Sequence, residues 1–339
     1  LSIDMASVRQ IANQAGVSIA TVSRVINNSP KVSESARARV LEVINQEQYK
    51  PKTGKLLTTN VAYIFTDSIT LGSPYDAGIL AGMSSGLEYN ELDLLVLNAK
   101  SCRQGSETFQ DVFRRKGVCG LIVRTTSATV AMCRAIIESG LPTVVLGDEI
   151  EGYEPLCLDI DSRSASRDAV EHLVGLGHQK IAFATNVVED KDHSDRYGGY
   201  LDALELAGLE ANSKLHFRVP ASRQGGEQLA RRIASMADAP TAMYVADPGT
   251  CLGLITESRK LGISVPGQLS IVGFDDSETR YLTSPVLTAV CQDAQRLGNE
   301  AMRKLVGSMP AHDPVIETDQ TSLLAWFEVN ESTGPAPSK

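Results

Sequence analysis

The sequence predicts a small all-helical head joined to a much larger α/β body built on parallel sheets. Three observations carry this. Charge is divided unevenly: residues 1–60 hold eight Lys/Arg against four Asp/Glu, while the remainder holds 24 against 37, within a net charge of -9. Residues 8–27 space small and apolar side chains as two short crossing helices require. From residue 60 onward, short apolar runs alternate with amphipathic runs, the pattern of parallel strands covered by helices. A chain of 339 residues accommodates two or three domains. A basic head on an acidic body suits a polyanion at one end only.

The head reads VRQIANQAGVSIATVSRVIN over residues 8–27. Ile11, Ala12, Ala15, Val17, Val22, Val25 and Ile26 fall where two helices pack. Gly16 occupies the turn, where a positive φ favours a residue without a side chain. Ser18 caps the second helix, near residues 19–26. Ser33 opens a third helix carrying Val40 and Ile44, and Pro51 ends it. This is a helix-turn-helix. The second helix exposes Ile19, Ala20, Ser23, Arg24 and Asn27. Arg24 can grip guanine O6 and N7 with two hydrogen bonds, and Ile19 and Ala20 can meet thymine methyls. Thr21, Ser23, Asn28 and Ser33 can donate to phosphates, which fix register without reading sequence. A plain surface role is the alternative for each of these polar residues, and a helical bundle without DNA the alternative for the head.

SVRQIANQAGVSIATVSRVINNSPKVSESARARVLEVI resembles the DNA-binding head of the LacI/GalR transcription regulators, most specifically through Gly16 to Val25. The resemblance continues in Ser73-Pro74-Tyr75, in Pro142–Asp148 and in Glu171–Phe183. It continues further in Asp195-Arg196-Tyr197, in Val265-Pro266, in Ser270–Asp276 and in Asn330–Thr333, covering about residues 7–334. It implies a periplasmic-binding-protein-like core of two doubly wound parallel-sheet lobes, with the chain crossing between them near 161, 290 and 319. The expected division is 1–50 for the helix-turn-helix head and 51–60 for a shortened hinge. Residues 61–160 with 291–318 form the N-terminal lobe, 161–290 with 319–331 the C-terminal lobe, and 332–339 a disordered tail.

The linker PKTGKLLTTN departs from the family. Relatives carry an Ala-Arg pair in a hinge helix that wedges a leucine into the minor groove. That pair is missing here, and Gly54 disfavours a helix by roughly 1 kcal/mol. Leu56 or Leu57 can supply the wedge and Lys52 and Lys55 the phosphate contacts; the alternative is a flexible tether.

In the body, strands are expected at Val61–Phe65, Leu94–Leu97, Gly120–Val123, Thr143–Leu146, Lys180–Ala184, Ala242–Ala246 and Leu269–Phe274. Helices are expected at Tyr75–Tyr89, Ser162–Leu176, Asp195–Ala207, Gly225–Met236 and Cys251–Leu261, several stopped by glycine. Ligands of such sheets bind beyond the carboxyl ends of strands. Asp148, Asp247, Asp275 and Arg196 gather there, a set suited to a polyhydroxylated ligand: carboxylates accept from hydroxyls and the guanidinium donates a planar fork. The resemblance makes Arg196 and Asp275 effector contacts and gives Asp148 a sugar-contacting role. Asp247 stands where relatives have asparagine, and Pro248 replaces the second member of that pair. Arg124 can meet a carboxylate or phosphate, or serve an ordinary ion pair. Tyr75 or Phe217 can stack on a sugar, Phe217 having a core position as its alternative. Asp276 is expected to be a turn acceptor, and His172 and His178 structural.

The function expected is a sequence-specific DNA-binding transcriptional regulator. It is a repressor and homodimer on a pseudo-palindromic operator, with the Tyr75–Tyr89 helix at the dimer surface by analogy. Its effector is a small, carbohydrate-like molecule. A same-fold regulator controlled by a partner protein, and a sugar-binding sensor, are the alternatives. No Gly-x-Ser-x-Gly and no phosphate-binding GxxxxGK[ST] loop appears, so an enzyme is not expected. No cofactor or metal is expected either, since histidines and cysteines lack ligand spacing. Scattered cysteines without CxxC, no long apolar run and no apolar leader in residues 1–20 lead to the expectation of a cytoplasmic protein without a membrane span.

Overall fold

The computed structural model describes residues 7–26, 31–46, 58–188, 190–309 and 322–338. The chain divides into two compact units, one holding the three N-terminal helices together with Phe113–Cys119 and the other nearly all of the two sheets.

The head contains α1 (Val8–Ala15), α2 (Ile19–Ile26) and α3 (Glu34–Gln46). Ser7 starts α1 through a reciprocal cap. Its hydroxyl accepts from the Gln10 backbone N–H, and the Gln10 side chain accepts from the Ser7 N–H. Gly16 ends the helix at φ 62°, its N–H reaching the carbonyls of Ala12 and Asn13. Ile11, Ala12, Ala15, Val22, Val25, Val40 and Val43 form the buried core. The small side chain of Ala12 lets the first two helices approach, as the spacing requires.

The body has two six-stranded sheets. The first contains β1 (Asn60–Phe65), β2 (Asp93–Asn98), β3 (Val118–Arg124), β4 (Thr143–Leu146), β5 (Cys157–Asp161) and β11 (Ser322–Leu324), in the order β11-β5-β4-β3-β1-β2. The second contains β6 (Ile181–Asn186), β7 (His216–Val219), β8 (Ala242–Val245), β9 (Ser270–Asp275), β10 (Thr288–Cys291) and β12 (Trp326–Glu328), in the order β12-β10-β9-β8-β6-β7. Its strands β6 to β10 pair in parallel, while β12 runs antiparallel to β10. Alternation along a strand sends successive side chains to opposite faces. Thus Ile181 and Phe183 pack on one face under α7 (Arg163–Gly175) and α8 (Lys191–Leu206). Ala182 and Ala184 pack on the other under α9 (Arg223–Ala234) and α10 (Pro248–Lys260).

Strands and helices not anticipated from sequence are β5, β7, β10, β11, β12, α5 (Phe109–Lys116), α6 (Val130–Ile137) and α11 (Ala294–Gly307). Helix α8 begins four residues before its expected start, because Asp190 caps it by accepting from the His193 N–H. Helix α4 (Pro74–Tyr89) follows Ser73, which caps it through the Asp76 N–H.

Two boundary expectations need correction. The third crossing does not fall near 319: Ser322–Leu324 still pair in parallel with Asp159–Asp161 of the first sheet, and the chain changes sheet at Ala325. Residues 332–338 are not a disordered tail. Ser332 is fully buried, donates to the Ile271 carbonyl and accepts from the Thr288 N–H. The Gly334 N–H donates to Ser270, and the Ala336 N–H donates to the Leu176 carbonyl. His178 contacts Thr241, Ser270 and the Gly334 carbonyl, and His172 contacts Thr333. The Gly-Pro-Ala-Pro composition resembles a loose end, yet its available backbone donors are matched.

Helix α11 lies against α4 at a separation only glycine permits. A Cβ on Gly82 would stand 1.9 Å from the Gln295 carbonyl oxygen, and one on Gly298 would stand 2.1 Å from that of Ile79. Gly82→Ala is expected to cost about 1–3 kcal/mol through overpacking against backbone, read as a lower urea midpoint at unchanged slope. A variant as stable as the parent would contradict the contact.

Candidate functional site

On the head, burial of Val22 and Val25 turns the other face of α2 outward. Ala20, Ser23 and Arg24 are exposed, and Ile19 is 48% exposed. An isoleucine held in water at a helix start is an apolar contact without an internal partner face. Ser18 caps α2 through the Thr21 N–H, and its hydroxyl also meets that of Thr21 at 2.9 Å. Ser33 caps α3 through the Ala36 N–H. Both hydroxyls that cap therefore have local work, while Arg24 projects from the last turn of α2.

In the body, a cavity of about 630 Å³ opens at the carboxyl ends of the strands of both sheets. From the first sheet's side it is lined by Asp67, Tyr75, Asp76 and Arg124, and from the second by Asp192, His193, Arg196 and Asp247. Asp276 and Gln292 lie at its base. Asp76 is anchored by the hydroxyls of Tyr63 and Ser73, each at 2.8 Å. The Arg124 guanidinium lies 4.5 Å from the Tyr75 ring centroid and 3.4 Å from Asp76 Oδ1. Arg196 donates to the Ala246 carbonyl at 2.8 Å and stacks 3.5 Å over Phe274. Such stacking leaves a planar donor edge-on to its neighbours.

His193 bridges two carboxylates. Its Nδ1 meets Asp190 at 2.6 Å and its Nε2 meets Asp247 at 3.0 Å. Burial opposes its charge, but the two carboxylates prevail and raise its pKa from 6.5 to about 9. Asp190 is buried too, but its bonds to His193 hold it down at about 2. Burial pushes Asp276 up to about 6 against the pull of Arg196 and of the Gln292 amide that donates to it. Behind the wall, burial and the neighbouring Asp192 raise Asp159 to about 7 despite its ion pair with Lys191. The side chains crowd more carboxylates than cations into one low-dielectric cleft. Among the described residues, Arg124 Nε, Asp148 Oδ2, Arg196 Nε and Asp247 Oδ2 are buried around it without a hydrogen-bond partner. Unmatched groups of this kind cost stability and mark places where a ligand or water completes the network.

Residues 7–52 match the family of bacterial regulatory proteins, lacI family, and residues 170–325 match a periplasmic binding protein-like domain. The chain is 28% identical to catabolite control protein A of Priestia megaterium, over 96% of this chain and 99% of the relative. It is 28% identical to the transcriptional regulator GalR of Escherichia coli, over 84% of each. Among solved structures, the complex of the transcriptional regulator CelR with cellobiose superposes with a TM-score of 0.70 at 26% identity, covering 96% of this chain and 99% of that one. The chain joins a lacI-family DNA-binding domain to a periplasmic-binding-protein-like domain. With that pair of domains it is a DNA-binding transcription regulator, and its relatives are LacI/GalR-family regulators rather than enzymes. Among the described residues no helix is long and apolar enough to cross a membrane.

Set on this LacI-type fold, the residues singled out from sequence divide clearly. Tyr75, Arg124, Arg196 and Asp247 line the cleft. Asp148 stands just behind its wall, accepting the Lys191 N–H at 2.6 Å. Phe217 does not reach it: the ring is fully buried in the core between β7 and α9, with Arg232 over its face. Asp275 does not reach it either. Its carboxylate accepts from Thr279 and from Arg280 at 2.6 and 2.8 Å, holding the turn after β9. The next residue, expected to be the turn acceptor, faces the cleft instead: Asp276 sits near Arg196 and Gln292. Asp76, Asp192, His193 and Gln292 were missed. Asp192 and His193 precede Arg196 by four and three positions, so an α8 capped by Asp190 and starting at Lys191 puts them on its face. Asn27, Asn28, Lys52, Lys55, Leu56 and Leu57 lie outside the described residues.

His193 makes stability depend on pH. Its folded pKa lies above the ordinary value, so its contribution is complete below about 6.5 and is lost as pH rises through about 9. Chemical unfolding across that window should show a falling unfolding free energy in the parent and a flatter profile in His193→Gln. Equal slopes in both would remove the imidazolium from the bridge.

Proposed function

We propose that the protein is a dimeric repressor whose operator affinity is set by a carbohydrate-like effector in the cleft between the two sheets. The observation that carries this is the cleft itself: about 630 Å³, lined by fixed carboxylates and guanidinium groups, with Asp247 Oδ2 buried and unmatched. Carboxylates accept from vicinal hydroxyls, Arg124 and Arg196 donate, and Tyr75 offers a ring edge at one wall. The solved CelR complex with cellobiose is consistent with such a ligand.

Two copies would set α2 in successive major grooves of a pseudo-palindrome. Arg24 supplies base readout, with Ile19 and Ala20 against thymine methyls and Thr21, Ser23 and Ser33 toward the backbone. Ligand changes the mutual angle of the lobes, and its effect on DNA equals its differential affinity for the two states. Asp148 acts through the start of α8, which it holds by the Lys191 N–H.

Selection from random duplexes followed by gel-shift titration tests the reading. Arg24→Ala should relax preference at one or two base pairs by about 1–3 kcal/mol; equal losses on selected and random duplex would exclude base readout. In the same assay Arg196→Ala should bind the selected duplex like the parent yet ignore sugars that shift the parent's binding. A fully responsive variant would take Arg196 out of the effector site.

A further inference from the structure

Asp247 ends the turn after β8 and precedes α10, where a carboxylate ordinarily caps the helix. It makes no side-chain cap here. Its Oδ1 accepts from His193, and its Oδ2 has no partner although the residue is only 7% exposed. His193 is fixed from the other side by Asp190, which also accepts the His193 backbone N–H at 2.8 Å. On its own helix Asp190, Asp192 and Arg196 face His193; Asp247 faces it from α10, and His216 and Arg218 of β7 stand along the same wall. With both ring nitrogens donating, the imidazole is held as imidazolium. With Oδ1 engaged by the imidazolium, Asp247 leaves Oδ2 as an unmatched acceptor position in the cleft wall.

The balance of the whole lining agrees. Asp67, Asp76, Asp190, Asp192, Asp247 and Asp276 stand against Arg124, His193 and Arg196, and among the described residues only Asp67 draws a further cation, Lys100, from outside the lining. An anion entering this cleft meets uncompensated like charge in a medium of low dielectric. The open start of α10, at Pro248 and Gly249, would otherwise attract one.

We propose that the cleft discriminates by charge: it admits carbohydrates that bring a hydroxyl or ammonium hydrogen to Asp247 Oδ2 and rejects phosphorylated and acidic ones, with His193 the positioning residue that holds Asp247 in that role. This rests on the reading of the cleft as the effector site.

The test is calorimetry and thermal shift on the full chain at pH 7.5 with matched sugars. The series are glucose, glucosamine, glucose 6-phosphate and glucuronate; galactose, galactosamine and galacturonate; ribose and ribose 5-phosphate; and cellobiose. The expected result is binding of at least one neutral or amino sugar, with its anionic counterpart at least tenfold weaker. An anionic sugar that outbinds its neutral parent overturns the inference and leaves ligand control standing. No binder in any class overturns the effector-site reading and the inference with it. For the sugar that binds, His193→Gln should weaken affinity at least fivefold at pH 7.5. It should also abolish the parent's loss of affinity as pH passes about 9. A variant with parental affinity and parental pH profile would end the positioning role.

Discussion

The body depends on one contact, the backbone-to-backbone packing of α11 on α4. Helix α11 follows β10 of the second sheet, so its docking beside α4 returns the chain to the first lobe. Gly82 and Gly298 permit it, since side chains there would enter the carbonyls of Gln295 and Ile79. Close approach of this kind is non-negotiable in volume, because protein interiors pack as densely as organic crystals. With α11 held, Gln292 just before it stays at the base of the cleft, and α4 presents Tyr75 and Asp76 from its first turn. The cleft-facing groups of both lobes thus take their positions from a seam that carries no chemistry of its own.

The cleft then works by keeping charge buried but accountable. Asp76 is tied to three hydroxyls and a guanidinium, Arg196 to a carbonyl and an aromatic face, and Asp190 and Asp247 to one imidazolium. Removing one member of such a set leaves its partner uncompensated, which costs more than the pair contributes. The second sheet supplies the stiff platform: β8 and β9 are fully buried, and their last residues hand the chain to Asp247 and Asp276.

The head was legible in detail because its constraints are local. Gly16, Ser18 and the spacing from Ile11 to Val25 each act within one or two helical turns. The alternation of strands and helices was legible for the same reason, though short strands such as β7 and β10 offer only four residues of pattern. The cleft was harder, since facing at a strand end is a tertiary outcome. Strand β9 stops at Asp275, and whether the first or second aspartate turns inward depends on Arg280, five residues on, claiming one of them. Phe217 alternates with the exposed Arg218, which places its ring in the core; an aromatic near a strand end reads equally well as a stacking platform. His193 escaped because its partners lie 3 and 54 positions away in the chain. The buried end at Ser332 escaped because composition reports propensity and not whether donors find acceptors.

The two edge strands β11 and β12 are separated by Ala325 alone, whose N–H donates to the Asp161 carbonyl at 3.0 Å. Each strand is stitched into a different sheet, so the segment has no slack to pay out. At this crossing the two sheets are tied together by a single residue.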